Sequence, residues 1–128
     1  IEGELGDRRA YLEAARRAPN PAARRMMQRM AEREGAHARR LLAVYYLACG
    51  QCYRPALASG PGETLPWRQL LRQRYHSEVC GGMNYARTAD STPDHCLAEL
   101  LNGLSAAEYR HAERIRGLLE RCLGQRKC

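Results

Sequence analysis

Hydrophobic residues recur at steps of three and four along two long segments of the chain, and this spacing predicts amphipathic α-helices. In segment 21–49 the apolar or small positions are Met27, Met30, Ala31, Ala38, Leu41, Val44, Tyr45 and Ala48. In segment 93–123 they are Leu97, Leu100, Leu101, Leu104, Ala112, Ile115, Leu118, Leu119 and Cys122. No segment shows the sustained alternation that is typical of a strand, so we expect an all-α protein.

Proline, glycine and capping residues divide the chain into four predicted helices, at about 2–18, 21–49, 66–88 and 93–123. Asn20 and Pro21 are typical of a cap and the first position of the second helix, and Thr64 is a possible cap for the third. Residues 50–65 are rich in Gly and Pro and predict a loop.

The lengths of the connections predict the topology. The first and second helices, and the third and fourth, are joined by short turns, so each pair should form an antiparallel hairpin. The middle loop of about 15 residues can span about 50 Å, and the second helix is only about 43 Å long. We therefore expect one single-domain four-helix bundle over residues 1–128, with a long crossover between helices 2 and 3.

The two halves of the sequence repeat each other at an offset of 74 residues. Roughly three identities are expected by chance at this offset, and ten are present. They are Glu4/Glu78, Tyr11/Tyr85, Ala15/Ala89, Pro19/Pro93, Glu34/Glu108, His37/His111, Ala38/Ala112, Arg40/Arg114, Gly50/Gly124 and Gln51/Gln125. The repeat indicates a duplicated helical hairpin.

Each half carries a Glu-x-x-His motif on the apolar face of its second helix, as Glu34 with His37 and as Glu108 with His111. Residues three apart share one face of a helix, so each pair can point at one centre. The repeat adds one glutamate from each remaining helix. Those are Glu78 and Glu4, the latter in preference to Glu2 or Asp7, which lack repeat partners.

Four carboxylates in one core would be costly without cations. Arginine is poorly placed to neutralise them, because the core-facing neighbours are apolar or small. A pair of divalent metals resolves the problem, and this ligand set matches the known ferritin-like dinuclear sites. An oxygen-rich set with two imidazoles suits iron, or alternatively manganese, better than structural zinc. The predicted metal ligands are Glu4, Glu34, His37, Glu78, Glu108 and His111.

Tyr11 and Tyr85 stand two helical turns beyond Glu4 and Glu78. Each is either a phenol that hydrogen-bonds a ligand carboxylate or donates an electron, or a core aromatic side chain. In the functional interpretation the catalytic residues are these two tyrosines together with Glu34 and Glu108.

Composition adds limits on the partners. The net charge of +7 comes almost entirely from scattered arginines without interleaved aromatic residues, so we expect no nucleic-acid partner. The sequence contains neither a long apolar run nor an export signal, so we expect a cytoplasmic protein without a membrane partner. Six cysteines then indicate a reducing compartment. We expect free thiols at Cys49 and Cys52, and Cys80, Cys96 and Cys122 packed as small apolar side chains; Cys128 is terminal.

The chain resembles the rubrerythrin branch of the ferritin-like superfamily. The likeness rests on "ELGDRRAY", "APNP", "MAEREGAHARRL", "YHSEVCGGMNY" and "AAEYRHAERI". It implies a carboxylate-bridged di-iron centre that reacts with peroxide or dioxygen, with the six residues above as its ligands. Rubrerythrins typically carry a further Glu three residues after the third-helix ligand, where this chain has Gly81, and a rubredoxin domain with four Cys. The resemblance therefore implies a more symmetric site and a separate, rubredoxin-like electron donor.

We accordingly expect a di-iron oxidoreductase of peroxidase or ferroxidase type, acting as a homodimer. The alternatives are a non-catalytic metal-binding or iron-handling protein and a di-manganese enzyme resembling catalase.

Overall fold

A computed structural model describes residues 1–56 and 65–125. They form four helices: α1 (Glu2–Arg17), α2 (Pro21–Cys49), α3 (Trp67–Ser91) and α4 (His95–Gln125). No strand occurs in the described part of the chain, which confirms the all-α prediction. None of these helices, as far as they are described, contains a stretch hydrophobic enough to span a bilayer.

The helix ends follow local chemistry. The side chain of Asn20 accepts a hydrogen bond from the backbone N–H of Ala23 at 2.8 Å, and so caps α2 as predicted. The helix ends at Cys49, and the following residue, Gly50, adopts a left-handed conformation (φ 69°) that glycine tolerates without steric cost. At the start of α4, the Asp94 side chain accepts from the N–H of Leu97 at 3.1 Å. This helix therefore begins two residues later than predicted, and α3 continues to Ser91 instead of ending near residue 88.

The long connection lies largely outside the described residues. Residues 57–64 and the predicted Thr64 cap are among those not described, and α3 begins at Trp67 after Pro66. The crossover between α2 and α3 stays a prediction.

The chain forms two compact units, Ile1–Thr64 and Leu65–Cys128. The first contains α1 packed on α2, and its buried apolar side chains include Tyr11, Met27 and Met30. The start of α1 is tied to the segment after α2, because Glu2 accepts hydrogen bonds from the Tyr53 hydroxyl and from the N–H of Ala56.

The second unit contains α3 packed on α4, with Leu71, Leu104 and Ile115 buried. The two helices approach closely at Gly82, where an added Cβ would lie 2.9 Å from the ring of Tyr109. The Ser105 hydroxyl donates to the carbonyl oxygen of Gly82 at 2.7 Å and fixes the same contact.

The first unit makes the equivalent contact with the large and small residues exchanged. Arg8 and Gly35 occupy the repeat positions of Gly82 and Tyr109. The aliphatic part of Arg8 lies across Gly35, with its Cδ 3.2 Å from where a Cβ would be. Both hairpins therefore pack one large side chain on one glycine, from opposite helices.

Candidate metal centre

The first hairpin brings together Glu4 from α1 and Glu34 and His37 from α2, and all three are buried. One ligand atom from each lies within 4.8 Å of the other two. His37 Nδ1 is 3.5 Å from Glu4 Oε2 and 3.9 Å from Glu34 Oε2. The rival of Glu4 proposed from the sequence, Glu2, is exposed and hydrogen-bonded to Tyr53 instead.

The second hairpin brings together Glu78 from α3 and Glu108 and His111 from α4. These side chains are also buried, and their ligand atoms again lie within 4.8 Å of one another. His111 Nδ1 is 3.6 Å from Glu78 Oε2, which matches the contact between His37 and Glu4. The repeat in the sequence is therefore also a repeat in side-chain geometry.

The two triads, as we call these sets of three residues, arise from simple helix geometry. Positions i and i+3 place a glutamate and a histidine on one face, and the antiparallel partner helix supplies the second glutamate at the same level. The i and i+3 spacing is visible in the sequence. The level of the partner glutamate follows from the short turn, which fixes the register of each hairpin.

The charge of each triad favours a cation. Two carboxylates and one protonated imidazole together still carry one negative charge, and a neutral imidazole leaves two. Holding such charge in a buried place is costly unless further positive charge is supplied. The donors are carboxylate oxygens and imidazole nitrogens without thiolates, a set that suits iron or manganese. The residues present therefore fit the predicted metal.

Arg74 is a buried side chain in this region that the sequence reasoning missed. It lies in α3, one turn before Glu78, is only 8% exposed, and donates from Nη2 to Ser77 Oγ at 3.3 Å. The expectation that arginine is poorly placed in the core is wrong at this position. The sequence did contain a signal for its burial, because Arg74 stands four residues before Glu78 and residues four apart share a helix face.

The predicted pair of tyrosines is not equivalent in the structure. Tyr11 in α1 is 0% exposed, and Tyr85 in α3 is half-buried. Both stand two turns after the glutamate of their own helix. Their role beside the ligands stays a prediction, and Tyr11 occupies the drier environment of the two.

Gly81 faces the second triad. A Cβ at this position would lie 3.5 Å from Glu108 Oε2, in ordinary van der Waals contact. A larger acidic side chain here, as the resemblance to rubrerythrins would lead one to expect, would start right beside the Glu108 carboxylate. With glycine, the side-chain ligands offered by this hairpin are those of the triad.

The cysteines differ from expectation at two positions. Cys49 and Cys52 are free and exposed, and Cys80 is free and half-buried. Cys96 is free but exposed, so the prediction that it packs as a small apolar side chain is wrong. Cys122 is buried but disulfide-bonded, so the prediction that it packs as a small apolar thiol is wrong. The apolar stripe correctly placed Cys122 in the core, but the spacing of a stripe carries no information on the oxidation state of a thiol.

Fold and triads together define an all-α protein whose helical hairpins each bury two glutamates and one histidine of the kind that binds metal. The family model described as Rubrerythrin matches residues 1–47, a range that contains α1, most of α2 and the whole first triad. The match confirms the resemblance to rubrerythrins over the first hairpin; the second is linked to it through the internal repeat. No curated protein and no solved structure matches the chain significantly.

Proposed function

We propose that this chain is a dinuclear-metal oxidoreductase that binds two iron ions and reacts with peroxide or dioxygen. The observation that carries the proposal is the pair of matching buried triads, one in each hairpin. The Rubrerythrin match over residues 1–47 and these carboxylate and histidine groups together indicate a ferritin-like metal-binding protein. The oxidoreductase activity is the further part of the proposal.

In this proposal each triad would hold one of the two ions. Glu4, Glu34 and His37 would bind the first, and Glu78, Glu108 and His111 the second. The resemblance to ferritin-like proteins, in which residues of this kind serve one dinuclear site, supports a pair of ions.

The protein's own contribution is the shape and charge of the ligand cage. The four carboxylates would balance the charge of the cations, and each histidine would bind through a ring nitrogen that must be deprotonated. The buried positions limit access of water to the ligands. Tyr11 supplies a hydroxyl that can orient a ligand carboxylate. When bound, iron would supply the redox chemistry that no side chain here can provide.

Metal content tests the site directly. We expect the purified chain to take up about two ions of Fe(II) per chain under anaerobic conditions, in line with six ligands. Glu34→Gln should reduce this number, because the amide keeps the shape of the side chain and removes its charge. Glu32→Gln is the matched control, since Glu32 is exposed on the same helix. Equal metal content in both variants would refute the proposed ligand role.

Reactivity tests the oxidoreductase part of the proposal. Hydrogen peroxide added to the Fe(II)-loaded protein should produce ferric absorption faster than in the Glu108→Gln variant. Glu113→Gln, exposed on the same helix, should behave as the parent protein. If the protein binds two ions but their oxidation is no faster than that of free Fe(II), the alternative of a non-catalytic iron-handling protein is favoured.

Elemental analysis of protein purified without added metal separates iron from manganese. A homodimer, a separate rubredoxin-like electron donor and a cytoplasmic location complete the proposal.

A further inference from the structure

A groove runs along the exposed side of the first hairpin, between α1 and α2. It consists of two adjoining depressions that share Leu12 and Gln28. Five arginines line it, and we call it the arginine groove; they are Arg8, Arg9, Arg16, Arg24 and Arg39. All five are exposed.

Positive charge is concentrated in this groove. Its acidic residues are Glu13 and Glu32, so the lining carries three net positive charges. Glu13 is paired with Arg16 at 3.3 Å.

At one end of the groove, two guanidinium groups come close together over Gly35. Arg8 Nε and Arg39 Nη1 lie 3.3 and 3.6 Å from the position that a Cβ of this glycine would take. Within the described part of the chain, neither arginine forms an ion pair. Two neighbouring positive charges without an acidic partner attract an anion to this end of the groove.

The duplicated hairpin provides an internal comparison. The positions of the five arginines correspond in the second half to Gly82, Met83, Asp90, Ala98 and Glu113, and none of these is basic. The glutamates and histidines of the two triads are identical between the halves, so both hairpins retain the same helices and the same candidate ligands. Arg8 packs across Gly35 and so contributes to the hairpin contact. The other four arginines are not needed to build this hairpin or its triad, and a role outside the fold explains them better.

From this asymmetry we infer that the arginine groove docks an acidic segment of a partner protein. Leu12 in the middle of the groove is 43% exposed and offers an apolar contact between the arginines. Glu13 and Glu32 would repel a uniform polyanion, and no aromatic side chain lines the groove to stack on bases. A protein surface with acidic, apolar and a few basic residues matches this pattern better than nucleic acid does.

The inference does not depend on the metal centre, and a binding experiment with the intact chain tests it. The probe is a fluorescent helical peptide of Glu and Ala with interspersed Leu and a few Lys, so that it matches the proposed partner surface, and its binding is followed by anisotropy. The groove variant Arg24→Ala/Arg39→Glu introduces the residues that the second hairpin has at these places. The control variant Arg72→Ala/Arg110→Glu makes the same change in net charge at exposed positions of the second hairpin.

We expect the groove variant to bind the peptide at least about tenfold more weakly, and the control variant to change affinity less than about twofold. Binding should weaken strongly between about 0.05 M and about 0.5 M salt, because exposed charges are screened. Circular dichroism of both variants checks that helix content is retained.

Three results would overturn the inference. One is equal weakening by both variants, which would mean a general effect of net charge. The second is tighter binding of a single-stranded oligonucleotide than of the peptide, again lost in the groove variant, which would assign the groove to nucleic acid. The third is salt-sensitive self-association that the groove variant abolishes, since this would make a second copy of the chain the occupant.

Discussion

Replacing Glu108 by leucine should stabilise the metal-free protein and remove most of the stabilisation that metal provides. Glu108 is 1% exposed, and one of its oxygens lies within 4.8 Å of an oxygen of Glu78. Two negative charges at that distance repel each other by about 3.5 kcal/mol at an effective dielectric constant of about 20. A protonated His111 offsets part of this repulsion. Leucine has a similar volume and carries no charge.

In a buffer with a chelator, we expect Glu108→Leu to raise the free energy of unfolding by about 1–3 kcal/mol, because a buried charge is replaced by an apolar group. With Fe(II) added under anaerobic conditions, the parent protein should gain about 2.7 kcal/mol at a metal concentration of about 100 times Kd. The variant should gain little, since it lacks one carboxylate. The variant is then the more stable protein without metal and gains far less when metal is added.

The assay is urea denaturation followed by far-ultraviolet circular dichroism, with and without metal. Glu113→Leu on the same helix is the control. Its side chain is 62% exposed and pairs with Arg116 at 3.0 Å, so its removal should change stability by less than about 1 kcal/mol. A Glu108→Leu variant that is less stable than the parent protein in chelator, or that gains as much from metal, would refute the reasoning.

Three further changes test individual contacts. Asn20→Ala removes the acceptor of a 2.8 Å hydrogen bond in the first turn of α2 and should cost about 1 kcal/mol in urea denaturation. Gly82→Ala should cost up to about 2 kcal/mol, because crowding against the Tyr109 ring exceeds the gain in helix propensity; an equal cost in a Tyr109→Ala background would contradict this cause. The pKa of Tyr53 is raised above its ordinary 10.0, chiefly because its hydroxyl donates a hydrogen bond to Glu2. Glu2→Gln should therefore lower the pKa of Tyr53, which NMR of the tyrosine ring measures. The stabilisation from this hydrogen bond is present below the ordinary pKa of Tyr53 and is lost as pH rises through the raised pKa; an unchanged pKa in Glu2→Gln would contradict the assignment.

The helices and the triads were accessible from the sequence because both depend on local periodicity. Apolar residues at steps of three and four predicted α2 and α4, and Glu-x-x-His predicted two side chains on one helix face. The repeat then identified Glu4 and Glu78, although neither stands in a conspicuous local pattern. Short turns fixed which helices pair, and the pairing of α1 with α2 and of α3 with α4 follows from them.

The helix ends were less accessible, because they depend on single hydrogen bonds. The sequence identified Asn20 as the cap of α2, but it did not single out Asp94 as the cap of α4. As a result, the predicted start of α4 was two residues early.

What the sequence by itself determined is the duplicated hairpin, its helical class and the six candidate ligands, since repeat and period are properties of the chain alone. Tertiary packing decided which large side chain covers which glycine, as Arg8 on Gly35 in one hairpin and Tyr109 on Gly82 in the other. It also decided the burial of Arg74 and the gathering of five arginines into one groove. The physical reason is that the burial and the electrostatic environment of a side chain depend on the residues of the partner helix. The spacing of residues within one helix does not specify those residues.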